Sequence, residues 1–159
     1  EVLLPLFREL LLITNDPASF RNYRECRIFS DLMPGCGPLS GIHTALKKAA
    51  HEMVFVVAGD MPFINEATIR AQFEIAMSHP GKTIVPRMNK YVEPLHSIYP
   101  TTGWQRLEEM LHDQSNPSVR EYLDIIPVHY WRVSDHKPFI NINTPEELKK
   151  YEEGRHHQD

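Results

Sequence analysis

Apolar positions in this chain fall into two kinds of run, unbroken blocks of four to six residues and spaced sets that recur every three or four, and the two kinds alternate. The first block, Leu10-Leu11-Leu12-Ile13-Thr14, closes on Asn15-Asp16-Pro17 and reads as a buried parallel strand running into a loop. Cys26-Arg27-Ile28-Phe29-Ser30 is a shorter, edge-like strand. Met53-Val54-Phe55-Val56-Val57-Ala58 is apolar throughout, which predicts a strand covered on both faces at the sheet centre, ending on Gly59-Asp60-Met61-Pro62. Lys82-Thr83-Ile84-Val85-Pro86 follows as a strand, with Pro94-Leu95-His96-Ser97-Ile98-Tyr99 as its hairpin-like successor, although the alternation does not fix a direction. Residues 127–133 and 138–143 supply two more β-rich runs.

The spaced sets predict helices. Leu3, Leu6, Phe7 and Leu10 recur at helical spacing, and with no initiator Met the chain is expected to begin partway through an amphipathic helix, its upstream part missing. After the Pro- and Gly-rich residues 33–38, an amphipathic segment covers 40–50. Asn65 or Glu66 opens the next helix, which stops at His79-Pro80-Gly81. Thr101 or Thr102 caps another through about His112, and Ser118 caps a short one through Asp124. Thr144-Pro145-Glu146-Glu147 has the form of a capping box with Pro in the first turn, on a helix expected to turn Leu148 and Tyr151 inward. Strands alternating with helices predict a three-layer α/β/α sandwich around a mostly parallel sheet.

Composition narrows the class. At 159 residues, 42% hydrophobic and 24% charged, the chain suits one globular domain, 1–159, with no linker or repeat to divide it. A net charge of -4 offers no basic surface for a nucleic-acid backbone, so nucleic acid is not expected as a partner, while a single nucleotide stays open. Two cysteines, Cys26 and Cys36, without CxxC spacing suit a reducing compartment. The opening residues lack the pattern of a secretory signal, and no apolar run approaches the ~20 residues of a membrane span. A soluble, cytoplasmic protein without a membrane partner is expected. The terminal run with His156 and His157 reads as a solvated tail.

In open α/β sheets ligands lie beyond the carboxyl ends of the strands, and Asp60 is placed there by the Met53 block. Its carboxylate either caps a turn or offers a hard oxygen ligand, which suits Mg²⁺ completed by phosphate and water. Asp31 holds the corresponding place after the second strand, as a turn residue or as an acceptor for a nucleoside's polar groups. Gly37-Pro38-Leu39-Ser40-Gly41 puts permissive residues ahead of a helix, where backbone amides can face a ligand. Asn141 and Asn143 flank Ile142, so on an extended strand both amides share one face. His96 is read first as structural and second as a substrate contact, and Arg87 and Lys90 as phosphate contacts or solvated charges.

Together, Gly37-Pro38-Leu39-Ser40-Gly41, Ala58-Gly59-Asp60-Met61-Pro62-Phe63, Glu93-Pro94-Leu95-His96 with Ser97-Ile98-Tyr99, and Phe139-Ile140-Asn141-Ile142-Asn143-Thr144-Pro145-Glu146-Glu147 resemble the molybdenum cofactor guanylyltransferases of the MobA type. The resemblance covers nearly the whole chain. It implies a GT-A-like, Rossmann-related nucleotidyltransferase fold with a mostly parallel, mixed sheet, and transfer of GMP from GTP to the phosphate of molybdopterin, with Mg²⁺ as cofactor. It also implies transient contact with other molybdenum cofactor biosynthesis proteins. By the same resemblance Asp60 is the metal ligand and catalytic residue, and Asp31, Gly37, Gly41, Asp60 and, less directly, Asn15 contact the nucleotide. Asn141 and Asn143 lie near the acceptor. The family's N-terminal strand, its glycine-rich phosphate loop and the Lys beyond it have no counterpart here, so the domain is expected to lack its N-terminal segment. A cytidylyltransferase, a nucleotidyltransferase for another phosphorylated acceptor, and a non-catalytic adaptor of the same fold are the alternatives.

Overall fold

A computed structural model describes residues 2–114 and 116–149 of the chain. Eight short or medium strands and helices come first: β1 (Leu11–Ile13), β2 (Arg27–Phe29), α1 (Pro38–Lys48), β3 (Met53–Val57), α2 (Glu66–Ser78), β4 (Thr83–Met88), β5 (Tyr91–Val92) and β6 (His96–Pro100). α3 (Trp104–Asp113), α4 (Val119–Asp124) and β7 (Val128–Arg132) follow. The larger sheet is mixed: β6 pairs antiparallel with both β3 and β4, β5 forms a hairpin with β4, and β7 lies parallel to β4. β3, β4 and β7 therefore share one direction, and their carboxyl ends open on one edge. β1 and β2 pair in parallel with each other and form a sheet of their own.

Period-two geometry divides the larger sheet into two faces. Val85 and Tyr99 pack with Leu39, Ile42 and Leu46 of α1, with Leu107, Met110 and Leu111 of α3, and with Tyr122 and Leu123 of α4. Their neighbours Ile84 and Ile98 pack on the opposite face with Ala76 of α2, joined by Met53, Phe55 and Phe73. Helices thus cover both faces, as the alternating pattern requires. Local caps account for several boundaries. Asn65 accepts from the Thr68 N–H at 2.9 Å to start α2, and Ser118 with Glu121 forms a reciprocal capping box on α4. α1 begins after Gly37, whose φ of +57° suits a residue without Cβ.

Several sequence expectations are corrected. The Met53 block is a strand, but all five residues of β3 are only half-buried, because among the described residues β3 is the end of its sheet and has β6 as its one ladder partner. Full burial belongs instead to Thr83, Ile84, Val85 and Pro86 on β4 and to His96, Ser97, Ile98 and Tyr99 on β6. Residues 3–6 form a turn rather than a helix. A helix this short gains little by itself, and Phe7 instead stacks on Phe55 with ring centroids 5.7 Å apart. Neither Thr101 nor Thr102 caps α3: they form a 3-10 turn, and Thr101 donates from its N–H and its hydroxyl to Glu52 O. α1 begins at Pro38, two residues earlier than expected, which puts Gly41 inside the helix. Residues 138–143 form no ladder strand. Pro138, with no N–H to give, starts a 3-10 turn over Lys137–Phe139, and the chain beyond it runs irregularly. Leu148, expected inward, is 41% exposed, and Tyr151, like His156 and His157, lies outside the described residues.

Candidate functional site

The carboxyl-end edge of the larger sheet collects the polar residues of interest. β3 runs into Ala58-Gly59-Asp60, where Ala58 N–H donates to Leu95 O at 2.9 Å and fixes the strand-end loop against the start of β6. Asp60 is partly exposed, but its Oδ1 is buried and has no hydrogen-bond partner among the described residues. An unpartnered carboxylate oxygen inside a protein is costly unless something positive meets it. Hard oxygen at the mouth of a strand therefore fits a divalent cation such as Mg²⁺. The Ile142 N–H donates to Asp60 O at 2.8 Å, which brings the 141–143 segment to this loop without a sheet ladder. Asn141 and Asn143 are exposed on either side of half-buried Ile142, so the alternation expected of a strand survives in an irregular backbone. The Asn143 N–H donates to Glu147 Oε2 at 2.8 Å, and Thr144 Oγ1 accepts from the Glu147 N–H, which anchors the segment to the turn behind it.

Asp31, Gly37 and Gly41 belong to a second group built around the start of α1. Ser40 Oγ donates to Met33 O at 2.6 Å and accepts from Cys36 N–H, while Leu32 N–H donates to Thr44 Oγ1. These bonds fold the 31–37 loop onto the helix. Pro38 has no N–H and the Ser40 N–H is taken by Gly37 O, leaving the amides of Gly37 and Leu39 without an intrahelical acceptor. A Cβ built on Gly41 would meet nothing within 4 Å, so this helix face is open. Partial burial raises the Asp31 carboxyl above its ordinary range. Asn15 is exposed beyond the end of β1, next to Asp16, which caps the following 3-10 turn. The structure therefore joins Asp60 to the Asn141–Asn143 segment and Asp31 to the glycine loop, and no hydrogen bond links the two groups among the described residues.

His96 is fully buried, ringed edge-on by Phe55 and Phe139, and its Nδ1 lies 3.2 Å from Gln72 Oε1. Gln72 also donates to Ile84 O and to His96 O, so one amide ties α2 to β4 and β6. Its oxygen is left as acceptor, which places the imidazole proton on Nδ1. Burial pushes the His96 pKa down to about 4, and the residue is a neutral part of the core. Arg87 and Lys90 are exposed; the Arg87 Nε donates to Asn89 O and its guanidinium sits 5.9 Å from the Tyr130 ring. The Lys90 ammonium sits over Tyr91. Two open grooves on the surface, one lined by Leu6, Ile69, Phe73 and Met77 and one by Asn89, Arg132, Ser134 and His136, contain none of the site residues above.

Glu93 is the residue that sequence reasoning passed over. It was legible only as one letter of a motif, yet the structure half-buries its carboxyl near Asp60. Burial raises that carboxyl, a hydrogen bond from the Leu95 N–H works against the rise, and the charge on Asp60 adds to it.

Comparison with known proteins bears on the family and the fold. Residues 1–127 match the MobA-like NTP transferase domain. A probable molybdenum cofactor guanylyltransferase of Clostridium perfringens is 31% identical over 154 residues, covering 90% of this chain and 75% of the relative. Among solved structures, molybdopterin-guanine dinucleotide biosynthesis protein A from Archaeoglobus fulgidus superposes with a TM-score of 0.77 at 25% identity, covering 92% of this chain and 78% of that one. The 2-C-methyl-D-erythritol 4-phosphate cytidylyltransferase of Thermus thermophilus shares the fold at a TM-score of 0.70 and 14% identity, over 96% of this chain and 84% of that one. No helix among the described residues is long and apolar enough to cross a membrane. The chain belongs to the MobA-like NTP transferase domain family, a family of nucleotidyltransferases.

Proposed function

We propose that this protein transfers GMP from GTP to the phosphate of molybdopterin in a Mg²⁺-dependent reaction, yielding the guanine dinucleotide form of the cofactor and pyrophosphate. The observation that carries the reading is the buried, partnerless Oδ1 of Asp60 at the mouth of β3, with the Asn141–Asn143 segment bonded to the same loop. In the reaction an oxygen of the acceptor phosphate bonds to the α-phosphorus of GTP as the bond from that phosphorus to the bridging β-phosphate oxygen breaks. Mg²⁺, held by Asp60, supplies neutralisation of charge on the triphosphate. No protein nucleophile is needed, and the chain's own residues bind and orient. Asn141 and Asn143 offer amide donors and acceptors to the phosphorylated acceptor. Asp31 accepts from the nucleoside, the Gly37 and Leu39 amides face the nucleotide with Gly41 leaving room beside them, and Asn15 borders the same side.

We also read residues 1–159 as one nucleotidyltransferase domain. Among the described residues α1 packs against both β1 and β3, which ties the two sheets into one unit. Reducing, cytoplasmic conditions and transient hand-over contacts with other molybdenum cofactor proteins belong to the same reading.

The test is transfer by the full-length protein with molybdopterin and Mg²⁺, comparing GTP with CTP and following both dinucleotide product and pyrophosphate. Preferential use of GTP is expected. Preferential use of CTP overturns the base assignment, and no product with either nucleotide overturns the catalytic reading in favour of an adaptor.

A further inference from the structure

β4 and β7 end together on two arginines. Their parallel register runs from Thr83 opposite Val128 through Val85 opposite Tyr130 to Arg87 opposite Arg132, and the bond from Val133 N–H to Arg87 O at 3.1 Å carries the ladder past that last pair. Val85 packs against α1, α3 and α4, so Arg87, two residues on, emerges on the same face beyond the helices, with Arg132 beside it. Like charges set side by side on a sheet repel. Among the described residues no Asp or Glu forms an ion pair with either arginine.

Arg87 is held in place while its outer edge stays free. Its Nε donates to Asn89 O at 3.1 Å, and its guanidinium lies 5.9 Å from the centre of the Tyr130 ring, within cation–π reach. The two Nη groups remain, and a fork of this kind grips an anion by two parallel bonds. Arg132 lines a groove of about 480 Å³ with Asn89, Ser134 and His136, a size that suits a small molecule. Asn89 forms its wall at a φ of +56°, the left-handed backbone of the tight β4–β5 turn. Asp135, the acid nearest in sequence, is turned into its own loop, where Oδ1 accepts from Lys137 N–H at 3.0 Å.

The groove opens on the edge that carries Asp60. Ile84 of β4 pairs with Ile98 of β6 on one side and with His129 of β7 on the other, so the strands run β3-β6-β4-β7 across the sheet. At about 4.8 Å per step, the two arginines stand roughly 10–15 Å along the edge from the end of β3. Residues 136–142 run between the two places: His136 lines the groove, the Lys137 ammonium sits 5.9 Å from the Phe63 ring, and Ile142 N–H donates to Asp60 O.

Resting on the acceptor reading above, we propose that this groove is a second acceptor subsite, in which Arg87 and Arg132 hold an anionic group other than the phosphate that reacts. In molybdopterin that group is the dithiolene, whose two sulfurs are anionic as thiolates. Asn141 and Asn143 meet the phosphate end and the arginines meet the sulfur end, so the acceptor lies along the sheet edge with its phosphate towards Asp60.

The test is equilibrium ultrafiltration of molybdopterin with the full-length protein, without nucleotide or Mg²⁺, against molybdopterin whose sulfurs have been alkylated with iodoacetamide to neutral thioethers. The parent is expected to bind the free dithiolene at least about tenfold more tightly than the alkylated form. Arg132→Gln and Arg87→Gln are expected to lose that preference while binding the alkylated form as the parent does. Arg132→Lys, which keeps the charge, should retain part of it. Both arginines are exposed, so melting temperatures close to the parent's are expected in all three variants. No preference in the parent, a preference that survives in Arg132→Gln, or an equal loss for both ligands overturns this inference and leaves the acceptor reading standing. No molybdopterin binding by the parent overturns the acceptor reading and this inference with it.

Discussion

The β4–β6 pair and the β1–β2 pair are both apolar strands at the level of sequence, and the structure treats them differently. On β4 and β6, eight consecutive-in-register positions are buried, and the Gln72 amide of α2 bonds to the carbonyls of Ile84 and His96 from behind. On β1 and β2 no residue is fully buried, each strand is three residues long, and the pair is tied to α1 at its edge. The tie is the Glu9–Arg27 ion pair, with Glu9 accepting from Ala50 N–H and Arg27 donating to Lys48 O. A strand is secured by what flanks it more than by its own hydrophobicity. In this molecule Asp60 follows β3, whose ladder partner is β6 of the secured pair. Asn15 and Asp31 rest on the other.

That contrast can be broken most forcefully in the core. Ile98→Ala on β6 removes a side chain 1% exposed between Ile84 and Ala76 and is expected to cost about 2–5 kcal/mol in urea denaturation. Leu12→Ala, in a half-buried strand, is expected to cost less than half as much. Equal losses would mean that the two pairs are equally packed and the contrast is wrong.

Acid should weaken the secured pair first. His96 titrates near 6.5 when unfolded and at about 4 when folded, so the unfolded chain binds the extra proton between those values. Its contribution is complete above pH 6.5 and is lost as pH falls towards 4, on the order of a few kcal/mol. The raised Glu93 carboxyl works in the opposite sense over the carboxylate range. Melting temperature followed from pH 7 to 4 should fall less steeply for His96→Gln than for the parent, and parallel curves would remove His96 as the cause.

Smaller effects sharpen the packing on the α3–α4 side. A Cβ on Gly103 would lie 2.8 Å from the Tyr122 hydroxyl, so Gly103→Ala should destabilise by about 1–3 kcal/mol in the same denaturation assay. Ser118→Ala dismantles the α4 capping box and should cost about 1 kcal/mol. Glu9→Gln, which loosens only the edge tie of β1 and β2, should change global stability by less than about 1 kcal/mol. It should nevertheless speed amide hydrogen exchange in β1 and β2 while leaving β4 and β6 unchanged.

The sequence displayed some of this plainly. Asn65 and Ser118 mark helix starts because a cap is a bond between neighbours, and Asp60 stands after an apolar block because strand ends are local too. The environment of β3 was not legible, since a five-residue apolar run looks the same whether a strand lies on both sides or on one. Pro138 broke the expected ladder at 138–143, and Ile142 reached the site through a single bond to Asp60 O. Glu93 escaped notice because its place near Asp60 depends on how the turns after β3 and before β6 fold together, held by the Ala58 N–H to Leu95 O bond, which no spacing within either segment reveals.

The central claim is that the carboxylate of Asp60 carries metal-dependent nucleotidyl transfer. It is tested most directly by the rate of pyrophosphate release from GTP and molybdopterin in the full-length protein, parent against Asp60→Asn, at saturating Mg²⁺. A fall of at least about 100-fold with a melting temperature close to the parent's is the predicted result. Near-parent turnover in the folded variant would contradict it.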